Sequence, residues 1–141
     1  MENPDDAKIR DILTGTRVVA VVGWSPNPER PSHGVAAFLA RFGMTVFRVN
    51  PGQAGQVVDG RPVYGRLADI PKDAGVGMVD IFRRSDAVAG IVDEALAALP
   101  DLKVIWMQLG VMHTGAATKA RAKGVIVVQD RCPKIEAARL L

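Results

Sequence analysis

Residues 18–34, VVAVVGWSPNPERPSHG, contain an uninterrupted apolar run that is followed at once by a glycine and a long polar loop. Five apolar residues in succession, Val18–Val22, are typical of a strand that is buried on both faces of a parallel sheet. Gly23 permits a sharp turn at the end of that strand, and Pro31 and Ser32 suit the start of a helix. The stretch therefore predicts a strand, a loop and a helix.

The same pattern recurs along the chain. Further apolar runs occupy residues 44–49, 78–82, 104–107 and 125–128. Helical patterns alternate with them, and they cover residues 9–13, 35–42, 88–99 and 114–123 and the stretch from Pro133 onward. Strand–helix alternation with short loops predicts an α/β fold: a Rossmann-like, doubly wound five-stranded parallel sheet in the order 3-2-1-4-5, flanked by helices. Residues 57–64 break the rhythm, and the Asp59-Gly60 turn signal predicts a small hairpin ribbon there.

Composition and charge narrow the classes of function. With 141 residues, 48% of them hydrophobic and 23% charged, we expect residues 1–141 to form a single domain. The net charge is only +3, and the basic residues are scattered along the chain rather than grouped in runs, which does not favour nucleic-acid binding. No apolar stretch reaches the ~18 residues of a membrane span, and the polar N-terminus is unlike a secretory signal. A single cysteine suits a reducing compartment, so we expect a cytoplasmic protein.

Polar and turn-forming residues collect directly after the predicted strands. They are found at 23–34, Asn50-Pro51, Arg83-Arg84-Ser85, Gln108-Leu109-Gly110 and 129–133. Because the carboxyl ends of parallel strands meet at one edge of a sheet, we expect a ligand pocket there.

The loop after the first strand has the features of a phosphate site. The N–H groups at a helix start attract anions, and Ser25, Arg30 and Ser32 add hydroxyl and guanidinium donors. The alternative is an ordinary turn with a solvated Arg30. The loop matches neither G-x-G-x-x-G nor the spacing of nucleotide triphosphatases.

The end of the second strand bears on the choice of cofactor. NAD sites usually place an acidic residue there to hold the ribose, whereas this chain has Asn50-Pro51. The missing carboxylate argues against NAD. Arg48 suggests a phosphorylated ribose, unless its side chain points outward.

Taken together, these segments resemble the stand-alone CoA-binding domain proteins, which are similar to the N-terminal domain of the succinyl-CoA synthetase α subunit. The matching segments span roughly residues 21–136 and are VVGWSPNPERPSHGVA, FRVNPGQAGQVVDGRPVYGRLADIP, VDIFRRSDAV, VIWMQLGV and DRCPKIE. Their order and spacing as a set carry the resemblance, since none of them is specific alone.

The resemblance implies that coenzyme A or an acyl-CoA lies across the strand ends. The residues expected to hold phosphate are Gly23, Ser25, Arg30 and Ser32. Those expected to border the ribose and adenine are Asn50 and Pro51, with Phe82, Arg83, Arg84 and Val88 on the adenine side. Gln108 and Gly110 are expected to face the pantetheine arm. For Arg83 and Arg84 the alternative is that one caps a helix and the other is solvated.

Nothing in the sequence predicts catalysis. In the synthetase, the phosphorylated histidine belongs to a second domain. Here His33 lies in the predicted phosphate loop, where it could donate a hydrogen bond or lie on the surface, and His113 opens a predicted helix. One cysteine and two separated histidines predict neither a metal site nor a nucleophilic triad, so we expect no enzyme activity.

Cys132 is the candidate reactive thiol. It precedes Pro133 at a predicted helix start, where helix N-termini favour the reactive thiolate form of cysteine. One hypothesis is that it lies near the CoA thiol and forms a mixed disulfide with it. The alternative is a buried structural thiol.

Three functions follow from these observations. The first is a non-catalytic CoA-binding carrier, sensor or accessory module, whose partner would be an acyl-CoA enzyme that the sequence does not identify. The second is an NADP-binding oxidoreductase-like domain. The third is a protein-interaction domain with a vestigial pocket.

Overall fold

The computed structural model describes residues 3–141. Its α-helices are α1 (Asp6–Gly15), α2 (Pro31–Phe42), α3 (Val88–Ala98), α4 (Thr114–Ala122) and α5 (Pro133–Leu140). Its strands are β1 (Val18–Val22), β2 (Thr45–Val49), β3 (Val57–Val58), β4 (Arg61–Pro62), β5 (Met78–Ile81), β6 (Val104–Met107) and β7 (Ile126–Val128). Within residues 3–141, no helix has the length and apolar character needed to cross a membrane.

The predicted α/β architecture is confirmed. β1, β2, β5, β6 and β7 form one parallel five-stranded sheet with helices on both faces. Alternate side chains point to opposite faces, so Ala20 and Val79 pack with α3 and α4 while Val21 and Met78 pack with α1, α2 and α5. Because both faces are covered, the strands can be almost continuously apolar, which is the pattern that the sequence shows.

The predicted strand order is wrong. The sheet runs β2-β1-β5-β6-β7, which is 2-1-3-4-5 when its five strands are counted along the chain, and not 3-2-1-4-5. The third strand therefore lies between the first and fourth strands instead of outside the second. Its residues Met78–Ile81 are all buried, which a strand at the edge of a sheet would not be.

The outer edge of β2 is already occupied, which explains this order. Val49 forms a parallel bridge with Tyr64. The N–H of Tyr64 donates to the Arg48 carbonyl at 2.9 Å, and the N–H of Asn50 donates to the Tyr64 carbonyl at 2.9 Å. The segment after β2 thus covers the edge that the third strand would need, and the chain crosses back to pair with β1.

The predicted ribbon is confirmed, and it encloses Arg48. β3 and β4 pair antiparallel around Asp59 (φ 52°) and Gly60 (φ 77°), the two positive φ values that a tight hairpin needs. The Arg48 Nη2 lies 3.3 Å from Asp59 Oδ2, and its guanidinium lies 5.7 Å from the centre of the Trp24 ring. Burial lowers the pKa of Arg48, and the side chain does not point outward.

A carboxylic acid lies in the middle of the sheet. Asp80 has no exposed surface, and neither of its carboxyl oxygens has a hydrogen-bond partner among the described residues. Its neighbours in the sheet are Val21 and Trp106. Burial raises the pKa of the Asp80 carboxyl well above its usual range, because charge is strongly disfavoured in so apolar a site.

Asp80→Asn should change how stability depends on pH. The folded protein keeps the Asp80 proton at pH values where the unfolded chain has released it, so this group costs stability as pH rises above about 3.9. The cost is at most about 1.4 kcal/mol per pH unit. Urea unfolding of both proteins should show the stability difference moving in favour of the variant between about pH 4 and pH 7. A difference independent of pH would contradict this assignment.

Candidate ligand-binding site

A cavity of about 800 Å³ opens at the carboxyl ends of the strands, a size common for small-molecule sites. Three parts of the chain line it. The β1–α2 loop and the first turn of α2 contribute Gly23, Ser25, Arg30, Pro31 and Ser32. The residues after β5 and β6 are Phe82, Gln108, Leu109 and Val111. Cys132, Lys134, Ile135 and Ala138 come from α5 and its N-cap.

Gly23 directly follows β1, at the point in the sheet where the strand order reverses. β2, the next strand along the chain, pairs with one edge of β1, and β5 pairs with the opposite edge of β1. The connections from β1 and from β5 therefore run in opposite directions across the sheet, which leaves a crevice between them. Gly23 has φ +86°, and a Cβ built on it would lie 3.0 Å from the Phe82 carbonyl oxygen and 3.0 Å from Arg83 Cδ. Only glycine fits this backbone without strain, so β1 and β5 can end close together.

The β1–α2 loop holds two hydroxyl groups toward the cavity. The N–H of Ser25 donates to Ser32 Oγ at 3.0 Å, and the N–H of Asn27 donates to Ser25 Oγ at 3.1 Å. Both hydroxyls accept these bonds, and neither donates to any residue that the structure describes. Arg30 is the N-cap of α2, and its side chain makes no capping bond. The loop thus offers donors beside a helix N-terminus, as phosphate binding requires.

His33 and Asn50 brace this loop. His33 Nδ1 lies 3.1 Å from the Ser25 carbonyl oxygen, and the His33 ring stacks on Trp24 with centroids 5.9 Å apart. The Asn50 amide donates to the Trp24 carbonyl at 2.6 Å and accepts from the Gly52 N–H at 2.9 Å. Both ends of the Asn50 side chain are therefore occupied, and it does not line the cavity.

Gln108 carries a buried acceptor at the cavity wall. The residue is 5% exposed, and its Oε1 has no hydrogen-bond partner within residues 3–141. Its backbone is fixed by donation to the Ile81 carbonyl at 3.2 Å and by accepting from the Val111 N–H at 2.9 Å. A buried acceptor without a partner is costly unless a ligand supplies the donor.

Cys132 occupies the N-cap of α5 and is 6% exposed. The Trp106 Nε1 donates to the Arg131 carbonyl at 2.9 Å, and the Arg131 N–H donates to the Met107 carbonyl at 3.3 Å. Trp106 itself is fully buried. These bonds hold the segment before Cys132 against the segment before Gln108.

The cavity is basic at some points and apolar at others. Arg30 and Lys134 are its charged lining residues, and no Asp or Glu lines it in the described part of the chain. Leu109 and Ile135 line it while remaining 57% and 53% exposed. The site therefore suits a ligand with an anionic end and an apolar or amide-bearing arm.

Several residues expected near the adenine lie outside this cavity. Arg83 is exposed beside Gly23, and Arg84 is exposed and pairs with Asp86 at 3.2 Å. Val88 has no exposed surface and belongs to the core, because it begins the buried face of α3.

Two more of the residues expected at the ligand have structural positions in loops. Pro51 begins a short 3₁₀ turn and is exposed. The Gly110 N–H donates to Asp130 Oδ1 at 2.7 Å, which ties the loop after β6 to the loop after β7. His113 caps α4 by accepting from the Ala116 N–H at 2.9 Å, in agreement with its predicted place at a helix start.

The α5 wall of the cavity was not expected from the sequence apart from Cys132. Lys134, Ile135 and Ala138 contribute to it, as do Leu109 and Val111 from the loop after β6. Ile135 and Ala138 are three residues apart and share a helix face. The signal in the sequence was an apolar residue on an otherwise polar helix surface. Within residues 3–141, no cluster of three or more His, Cys, Asp or Glu side chains could hold a metal ion.

Fold and cavity together define a Rossmann-like domain with a cavity across its strand ends. The CoA binding domain family model matches residues 17–138. The Bacillus subtilis (strain 168) protein YneT is 33% identical over 138 residues, 96% of each chain. The chain therefore belongs to the family of CoA-binding domain proteins.

Solved structures agree with this family. A protein from Pyrococcus horikoshii OT3 is 35% identical with a TM-score of 0.87, over 97% of this chain and 92% of that one. A protein from Thermus thermophilus is 30% identical with a TM-score of 0.90, over 98% of this chain and 100% of that one. Both cover nearly the whole chain, so the shared fold is not limited to one part of it.

Gly23→Ala should destabilise the protein by about 1–3 kcal/mol, because alanine is strained at positive φ and its Cβ would press on the Phe82 backbone. Gly34→Ala is the matched control, since Gly34 lies in α2 with open space around its Cβ position. The control should be neutral or stabilising by up to about 1 kcal/mol. Urea unfolding measures the stability of both variants. Equal effects would show that the close approach to the Phe82 backbone is not the reason why position 23 requires glycine.

Proposed function

We propose that this chain binds coenzyme A or an acyl-CoA in the cavity at its strand ends. The observation that carries the proposal is the juxtaposition, in one cavity, of a helix N-terminus with two hydroxyl donors and an amide acceptor that have no partners for these roles within residues 3–141. Membership of the CoA-binding domain family supports the same ligand.

The phosphates would be held by the β1–α2 loop. Ser25 and Ser32 can each donate a hydroxyl hydrogen, and Arg30 brings a guanidinium to the start of α2. Gly23 lets the backbone approach the ligand closely. The absence of acidic side chains from the described lining suits a ligand that carries several phosphates.

The arm of the ligand would run toward Gln108 and α5. Pantetheine contains two amide groups, and one of their N–H donors would satisfy Gln108 Oε1. Beyond it, exposed Leu109 and Ile135 leave apolar surface that an acyl group would cover. Phe82 also lines the cavity and would contact the ligand.

The proposed role is binding without catalysis. The described lining contains no His, Asp or Glu that could transfer a proton at the ligand. Such a protein, with residues 1–141 acting as one unit, would serve as a carrier, a sensor or an accessory module for an enzyme that uses acyl-CoA.

Thermal unfolding with CoA, acetyl-CoA, NAD and NADP in parallel tests the ligand. A ligand at ~100 times its dissociation constant should stabilise by about 2.7 kcal/mol, or roughly 5–10 °C in this size range. We expect this shift with CoA and acetyl-CoA alone. A shift with NADP alone would favour an oxidoreductase-like domain, and no shift with any of them would favour a vestigial pocket.

Arg30→Ala should weaken CoA binding about 10- to 150-fold, the range for losing a charge-assisted hydrogen bond of about 1.5–3 kcal/mol. Arg41→Ala is the matched control, because Arg41 is an exposed arginine at the opposite end of α2. Titration calorimetry measures both affinities. Equal affinities would remove Arg30 from the site.

A further inference from the structure

A thiol and a buried amide both belong to the lining of the cavity. Cys132 and Gln108 both line it, and both are more than nine-tenths buried. We propose that Cys132 captures its ligand covalently, as a mixed disulfide with a CoA disulfide that the cavity has bound. This inference rests on the proposed function and adds a redox-dependent state to it.

The backbone around Cys132 is held in place from two directions. The Arg131 carbonyl accepts from Trp106 Nε1 at 2.9 Å, and the Arg131 N–H donates to Met107 at 3.3 Å. Arg131 directly precedes Cys132, and Met107 directly precedes Gln108. The thiol and the amide therefore lie on adjacent segments whose relative position is fixed by hydrogen bonds.

Gln108 indicates what kind of ligand the cavity binds. Its Oε1 is buried and has no hydrogen-bond partner within residues 3–141, so a ligand that brings an N–H donor to this oxygen would remove the cost of leaving it unpaired. The arm of CoA carries such donors shortly before its sulfur. A ligand whose amide satisfies Gln108 would therefore carry its sulfur into the part of the cavity that Cys132 lines.

The exchange conserves atoms and electrons. The Cys132 thiol first loses its proton to solvent, and the thiolate attacks one sulfur of the bound CoA disulfide. The bond from Cys132 Sγ to that sulfur forms as the ligand's own S–S bond breaks. The second CoA leaves as a thiolate, which takes a proton from water. An added thiol reverses the reaction by the same steps.

Capture directed by the cavity has a different signature from ordinary thiol reactivity. Cys132 is the sole cysteine of the chain, so every disulfide adduct forms there. In the folded protein the rate should depend on how well the cavity binds the disulfide. In urea, where the cavity is absent, the rate should depend only on the intrinsic reactivity of each disulfide.

The test compares CoA disulfide with glutathione disulfide at equal concentration, using intact-protein mass spectrometry over time. We expect adduct formation at least about tenfold faster with CoA disulfide in the folded protein, once each rate is divided by its value in urea. A CoA thioether, which cannot exchange, should slow the reaction. Dithiothreitol should remove the adduct, and Cys132→Ser should show none.

Variants connect the rate to the site. Arg30→Ala and Gln108→Ala should each slow the CoA disulfide reaction about tenfold, while Arg41→Ala should react like the unmodified protein. Equal normalised rates for the two disulfides, or an unchanged rate in Arg30→Ala, would overturn the capture. If reduced CoA stabilises the folded protein but capture is not accelerated, this inference alone fails. If CoA gives no stabilisation, the proposed function fails first.

Discussion

The pairing of β5 with β1 is the contact on which the rest of the molecule depends. It places the third strand of the sheet in the centre, so that the chain reverses its direction of travel between β1 and β5. Gly23 makes the reversal possible by letting the end of β1 lie against Phe82 and Arg83. The crevice that results collects the first turn of α2, the end of β6 and the N-cap of α5 around one cavity.

Two buried side chains, Asp80 and Gln108, carry oxygen atoms that have no hydrogen-bond partner within residues 3–141, and their positions in the fold give these oxygens different consequences. Asp80 lies within the sheet between Val21 and Trp106, and burial there raises the pKa of its carboxyl group well above the usual range. Gln108 is almost as buried, yet it lines the cavity. The first is a cost to folding that the surrounding core offsets, whereas the second would be relieved by a ligand that donates a hydrogen bond to it.

The sequence predicted where the strands lie along the chain, but it did not predict which strands lie next to one another in the sheet. Apolar runs such as Val18–Val22 located every strand of the main sheet, and Asp59-Gly60 located the ribbon. The order of the strands was wrong because it depends on which edges are free. Tyr64 covers the outer edge of β2 through hydrogen bonds from its backbone, and the identity of a side chain does not encode such bonds.

By itself, the sequence determined the fold class and predicted a phosphate-binding β1–α2 loop and a CoA ligand, because these follow from local patterns and from a set of motifs in order. Only the tertiary structure decided which strand-end residues share a cavity. The Asn50 side chain is engaged in bracing a loop, Val88 is enclosed in the core, and Ile135 is brought to the cavity. The physical reason is that strand order and helix packing set the distances between loops that are far apart in the chain. The cavity therefore depends on how these loops are placed relative to one another and not on any one segment of the chain.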